Sequence, residues 1–193
     1  MRVFLAGATG VLGIRLVPLL VERGDVVAGM TRWTEKADPL RALGAEPVIC
    51  DVFDAADLRA RVVEFGAEAV VDELTDLPDD PSRIPLFADR NNRIRREGTA
   101  NLLAAARAAG AERFVVQSVA WELPGEGATT IEEMERAVLD FGGVVVRYGQ
   151  LYGPGTYFER EPPPEPRIQV EEAARRTLPA LEAPPGTVLT IVE

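Results

Sequence analysis

Short apolar runs recur along the chain, each followed by a polar break and then by residues at helical spacing. Val3–Ala6, Val26–Met30, Pro47–Cys50, Ala69–Asp72, Arg113–Gln117, Val144–Arg147 and Val188–Val192 read as strands. The first is apolar at consecutive rather than alternating positions, as in a parallel strand covered on both faces. Between the runs, apolar positions recurring every three to four residues predict helices over Val11–Arg23, Asp38–Leu43, Ala55–Phe65, Asn91–Ala109, Ile131–Phe141 and Gln169–Leu181. Gly24, Gly44, Gly66 and Gly110 each follow a helix, where a left-handed residue ends the last turn. Strand and helix in strict alternation imply right-handed crossovers and a parallel sheet with helices on both faces. The expectation is a doubly wound α/β fold in a single domain over residues 1–193.

Two stretches break the alternation. Asp76–Pro85 is polar and punctuated by proline, and Gly153–Pro166 carries Glu-Pro-Pro-Pro-Glu-Pro, which cannot continue a helix and is expected to run extended over the surface. Both leave the C-terminal side of the sheet, the side on which α/β proteins bind ligands.

The first crossover holds the clearest chemistry. Gly7, Gly10 and Gly13 stand between the first strand and the first helix, the spacing of a dinucleotide-binding turn. Gly7 permits the tight turn, Gly10 lets backbone N–H groups approach a pyrophosphate, and Gly13 lets the helix pack closely on the sheet. Phosphates then meet a helix N-terminus, where free N–H groups and the helix dipole favour negative charge.

The second strand discriminates between cofactors. An NAD site places an acid about twenty residues beyond the glycines to hold the ribose hydroxyls. Here the strand ends in Thr31-Arg32-Trp33-Thr34, and Asp25 lies at its other end. Arg32 suits a 2′-phosphate, with Thr31 or Thr34 as donors and Lys36 adding charge, so NADP is expected over NAD. Asp51, after the third strand, is placed to accept from an adenine amino group, while Asp54 suits the N-cap of the following helix.

Composition narrows the rest. With 31 acids against 21 bases the net charge is −10, a field that repels nucleic acid and anionic membranes. No apolar run approaches the roughly eighteen residues of a membrane span, and Met1–Leu5 runs too soon into Gly7-Ala-Thr-Gly10 to read as a signal peptide. A cytoplasmic protein is expected. Cys50 is the single cysteine, which excludes an intramolecular disulfide, and no metal cluster is indicated. There is no histidine, and Lys36 is the only lysine.

Taken in order, Gly7-Ala-Thr-Gly-Val-Leu-Gly13, Thr31-Arg32, Asp51-Val-Phe-Asp54, Glu97-Gly-Thr-Ala-Asn-Leu-Leu-Ala-Ala-Ala106, Arg113-Phe-Val-Val-Gln-Ser-Val119, Val146-Arg-Tyr-Gly-Gln-Leu-Tyr-Gly-Pro-Gly155 and Ile168-Gln-Val-Glu-Glu-Ala-Ala174 carry a resemblance. The chain resembles the short-chain dehydrogenase/reductase superfamily, in its extended and atypical epimerase/dehydratase branches, over nearly its whole length. The resemblance implies a Rossmann-type domain that binds NAD(P) and acts on a small-molecule substrate. The implied cofactor set is Gly7, Thr9, Gly10, Val11, Leu12, Gly13, Thr31, Arg32, Asp51, Val52, Leu74 and Thr75, with Ser118 near the nicotinamide. It also implies homodimerisation through the helices at Asn91–Ala109 and Ile131–Phe141.

The departures concern catalysis. Relative to the family the chain is shortened between Ser118 and Ile131 and between Gly155 and Ile168, leaving a minimal substrate side around residues 119–130 and 148–168. The family's Tyr-x-x-x-Lys pair is missing: its two places fall on Gly127 and Ile131. The candidate catalytic residues are Ser118, Tyr148 and Tyr152, with Tyr157, Asp72 and Glu73 behind them. Tyr148 stands where many relatives carry proline and is expected to face the nicotinamide; Glu73 is expected to be a solvated acid at a strand end. Three readings follow: an NADP-dependent oxidoreductase or epimerase-like enzyme with rearranged proton delivery; a non-redox isomerase, cyclase or lyase; and a non-enzymatic NADP-binding regulator or partner subunit.

Overall fold

The structure is a computed structural model that describes residues 1–193. Seven parallel strands form the main sheet: β1 (Arg2–Ala6), β2 (Val26–Thr31), β3 (Glu46–Ile49), β4 (Ala69–Asp72), β5 (Arg113–Val119), β6 (Val144–Tyr148) and β9 (Val188–Ile191), in the order β3-β2-β1-β4-β5-β6-β9. Their pairing is parallel throughout. The order reverses beside β1, and Ala6 is in register with both Met30 and Asp72, so β1, β2 and β4 open together onto the crevice where a doubly wound sheet binds ligands.

Alternation along the strands splits the core into two layers. Val3 and Leu5 face α1 (Gly13–Glu22), α2 (Ala37–Ala42) and α7 (Val170–Thr177); Phe4 and Ala6 face α3 (Ala55–Phe65), α5 (Thr99–Ala109) and α6 (Glu126–Phe141). Both faces of β1 are therefore buried, which is why its sequence is continuously apolar. Asp54 caps α3 by accepting from the Asp57 N–H at 3.0 Å, and Gly24, Gly44, Gly66 and Gly110 all take positive φ after their helices. No helix is long and apolar enough to cross a membrane.

Several boundaries differ from the sequence pattern. The single helix expected over Asn91–Ala109 is two, α4 (Ala88–Arg93) and α5, joined by a π-helical turn over Ile94–Gly98. Helix α6 starts at Glu126 rather than Ile131. Thr130, inside its first turns, donates its hydroxyl to the Glu126 carbonyl at 2.9 Å. On either side of the Gly153–Pro166 loop, β7 (Gln150–Tyr152) pairs in parallel with β8 (Arg167–Gln169) as a small second sheet that the sequence pattern does not assign.

Candidate cofactor and active site

The turn after β1 is built around close backbone contact. Gly7 has φ +80°, and a Cβ there would lie 2.6 Å from the Glu73 carbonyl oxygen at the end of β4. A Cβ on Gly13 would lie 2.1 Å from the Gly7 carbonyl oxygen. The Gly10 N–H closes the turn on Gly7 O at 2.9 Å. Leu12, the N-cap of α1, provides no side-chain cap, and the Val11 and Leu12 N–H groups find no acceptor in the protein. Free donors at a helix N-terminus, on a floor where no side chain fits, suit a pyrophosphate. Arg15 braces this turn. Its Nη1 donates to Val11 O at 2.7 Å, its Nη2 to Pro154 O at 2.5 Å and its Nε to Glu171 at 3.2 Å, tying the turn to α7 and to the second loop.

At the tip of β2, Thr31 is buried and its hydroxyl is engaged locally, accepting from the Trp33 N–H at 3.3 Å and lying 3.4 Å from Thr9 Oγ1. Arg32 is exposed, with its guanidinium 6.0 Å from the Trp33 ring centre and no carboxylate partner. Asp51 is exposed and accepts from the Phe53 N–H at 3.0 Å; Val52 is buried against Gly98. The exit of β4 is held from both sides. The Leu74 N–H donates to Asp72 Oδ1 at 3.1 Å, and Leu74 O accepts from Gln117 Nε2 at 2.9 Å, leaving Thr75 exposed. The loops at this end meet where the Tyr157 hydroxyl donates to Pro78 O, beside an open cleft of about 510 Å³ lined by Asp79, Thr156, Glu159 and Arg160 among others.

The three candidate catalytic residues do not converge. Ser118 is in register with Arg147, and both side chains lie on the α6 side of the sheet. There Glu135, buried, accepts from Ser118 Oγ at 2.5 Å and from Arg147 Nε at 2.9 Å. Tyr148, one residue on, points through the opposite face. Its hydroxyl lies 2.7 Å from Thr177 Oγ1 and 3.2 Å from Glu73 Oε1, with the residue only 3% exposed. The expected orientation of Tyr148 towards a nicotinamide is thus corrected: strand alternation carries it into the core, where it packs with α7. Ser118 likewise offers its hydroxyl to Glu135 rather than to the crevice. Tyr152 is on the small second sheet, and its hydroxyl donates to Glu193, which also accepts from Arg167 at 2.9 Å.

Glu73 is corrected too. It is buried, not solvated, and its Oε2 has no partner. Burial, then the neighbouring Asp72 carboxylate, pushes its carboxyl up to about 8. Asp72 is raised to about 6 by burial, against the bonds it accepts from Thr99 and Leu74. Burial also holds the Tyr148 phenol well above its ordinary value. Glu135, Arg15 and the π-helical turn were missed at the sequence level. Only the spacing of Glu135 from Gly127 and Ile131 on one helix hinted at the first.

Residues 7–140 match the family described as NAD(P)H-binding. The chain is 40% identical over 189 residues to a 3-diazoavenalumate denitrifying reductase of a Streptomyces species, a match covering 83% of this chain and 60% of the reductase. It thus spans less than two thirds of that relative's length. A UDP-glucose 4-epimerase of Thermus thermophilus in complex with NAD superposes with a TM-score of 0.78 at 20% identity, over 100% of this chain and 78% of the epimerase. The Thermotoga maritima UDP-glucose 4-epimerase, with UDP-glucose, gives 0.80 at 17% identity over 100% and 77%. At these identities the likeness is one of fold. The glycine turn, the strand order and the family match together make the chain a member of the NAD(P)H-binding family.

Proposed function

We propose that the protein is an NADPH-dependent reductase that passes hydride to a small electrophile whose reduction needs no proton from the protein. The observation that carries this reading is the fate of the candidate acids. Tyr148 and Ser118 are sealed on opposite faces of the sheet, and Tyr152 is bonded to Glu193 on the small second sheet. Reducing a carbonyl creates an alkoxide, and general acid help at that oxygen is worth about 10²–10⁴ in rate. A cationic acceptor such as an aryldiazonium ion needs none: hydride adds, the C–N bond breaks, neutral arene and N₂ leave, and NADP⁺ is the other product. The 40% identity to a reductase named for a diazo compound and for denitrification supports this choice.

The bound cofactor supplies the hydride. The chain's own residues bind and orient it: the Val11 and Leu12 N–H groups for the pyrophosphate, Arg32 for a 2′-phosphate, Asp51 for the adenine, and the Leu74–Thr75 backbone along the nicotinamide half. The unpaired Arg32 and the lack of an acid at the tip of β2 support NADPH over NADH.

The test mixes purified protein, NADPH and a benzenediazonium salt, following absorbance at 340 nm and N₂ release. Consumption of NADPH and release of N₂ in equal amounts, well above the protein-free rate, are expected. Arg32→Ala is expected to weaken NADPH at least tenfold, about 1.4 kcal/mol, and to leave NADH unchanged. A diazonium rate equal to the protein-free control, with brisk turnover of aldehydes or ketones, would overturn the reading.

A further inference from the structure

Four arginines crowd the helical stretch before α5, and three are spent on neighbouring carboxylates. Arg90 pairs with Asp76 at 2.9 Å, Arg93 with Glu97 at 2.7 Å, and Arg96 with Glu126 at 2.8 Å and Glu133 at 3.1 Å. Arg95 is the exception: it is half-buried and makes no ion pair or side-chain hydrogen bond. Burial lowers its pKa from the ordinary arginine value, with no carboxylate acting against that. None of its nitrogens is both fully enclosed and unpartnered, so the fork reaches solvent while the stem is covered.

Its backbone is equally unusual. Arg95 lies in the π-helical turn Ile94–Gly98, a geometry that appears mostly as single turns and often at functional sites. The flanking residues on the same helix face give its direction. Four residues earlier, Asn91 Oδ1 accepts from the Asp76 N–H at 3.0 Å; four later, Thr99 Oγ1 donates to Asp72 Oδ2 at 2.8 Å. Residues four apart share a helix face, so Arg95 lies between two side chains that both reach the exit of β4. That exit carries Leu74 and Thr75, at the end of the sheet where the crevice opens.

We infer that Arg95 is the substrate anchor, its planar fork receiving a carboxylate group of the molecule reduced at the exit of β4. Guanidinium and carboxylate match in two parallel N–H···O bonds, which fix orientation as well as position. This rests on the reductase reading and narrows its substrate class to carboxylate-bearing electrophiles. Since the side chain is partly desolvated and unpaired, it contributes nothing to stability that a neutral residue would lack.

The experiment uses equilibrium binding, so that it does not depend on turnover. In NADPH-saturated protein, 4-methylbenzoate and 4-methylbenzamide are titrated calorimetrically against wild type, Arg95→Gln and Arg95→Lys. Wild type is expected to bind the carboxylate at least tenfold more tightly than the amide; Arg95→Gln abolishes that preference and Arg95→Lys keeps part of it. The Tm of Arg95→Gln should be no lower than that of wild type, and its NADPH affinity unchanged. In turnover, KM for a 4-carboxybenzenediazonium salt rises in Arg95→Gln while that for the 4-methyl analogue holds. A preference that survives in Arg95→Gln, no preference in wild type, or a Tm that falls with both ligands weakened alike would overturn the assignment. Carboxylate preference lost in Arg95→Gln without any NADPH oxidation would leave the anchor standing and sink the reductase reading.

Discussion

The Tyr148 hydroxyl lies 3.2 Å from Glu73 Oε1, joining the last residue of β6 to the residue just beyond β4 beneath the glycine turn. Thr177 Oγ1 is 2.7 Å away on the other side and gives its own proton to the Ala173 carbonyl at 2.8 Å. The phenol donates to Glu73 Oε1, and burial pushes that carboxyl up to about 8. The cluster ties the end of β6, the exit of β4 and α7 together inside the core.

Stability should therefore fall with pH. Glu73 and Asp72 are raised in the folded state to about 8 and about 6, from 4.5 and 3.8. The folded protein keeps protons that the unfolded chain has released. Its stability is fullest below the ordinary values and is lost as pH rises through Asp72 and then Glu73, by up to about 1.4 kcal/mol per pH unit for each group. Between about pH 6 and about pH 8 the loss belongs mainly to Glu73. Urea unfolding of wild type and Glu73→Gln across that window should show a falling midpoint in the first and a nearly flat one in the second. Equal slopes would show that Glu73 titrates normally.

Tyr148→Phe should behave as a core variant. Removing one hydroxyl from a buried chain costs about 0.5–1.5 kcal/mol, read as a lower urea midpoint with the m-value unchanged. NADPH oxidation per folded molecule should stay within about twofold of wild type. A drop of the size that general acid loss brings, about a hundredfold, would restore the phenol to the reaction.

Gly13→Ala should be far worse than Gly10→Ala. The added methyl would lie 2.1 Å from Gly7 O and 2.8 Å from Ala8 Cα, both backbone atoms, against 3.2 Å at Gly10. The turn has to open, and the Val11 and Leu12 N–H groups lose their aim. NADPH titration should show at least a tenfold loss for Gly13→Ala; similar affinities in the two variants would count against the turn as the phosphate site.

Glu135→Ala should unsettle the other face. It leaves Ser118 Oγ without its acceptor and Arg147, bonded at 2.9 Å through Nε, without its counter-ion. Because Arg147 remains partly solvated, a loss of about 1.5–3 kcal/mol is expected, against about 1 kcal/mol for Ser118→Ala. Chemical denaturation measures both. If Ser118→Ala kept its stability but lost turnover, the hydroxyl would belong to the chemistry and not to the α6 contact.

Much of the frame was legible because its causes are local. The continuous apolar run Val3–Ala6 reads as a strand covered on both faces, as β1 is, and Asp54 ahead of Ala55 reads as the cap of its own helix. The Gly7, Gly10 and Gly13 pattern also reads directly, since each glycine answers a contact within its own turn or with the adjacent strand. The π turn at Ile94–Gly98 was not legible: one extra residue in a helical turn leaves apolar spacing almost unchanged. The β7–β8 pair was hidden because its strands are three residues each and sit beside a proline-rich loop.

The amino-acid sequence by itself determined the doubly wound architecture, the dinucleotide turn and the absence of a Tyr-x-x-x-Lys pair, all properties of order and composition. Only the tertiary structure decided which residues share a space. Ser118 and Tyr148 are near neighbours across adjacent strands, yet alternation sends them to opposite faces. Glu73, a strand-end acid by position, is buried beneath the glycine turn with the Tyr148 hydroxyl against its carboxyl. Arg95 was one arginine among four until its neighbours' partners were known. Pairing and burial depend on contacts between distant segments, and those exist only once the sheet has brought its crossovers together.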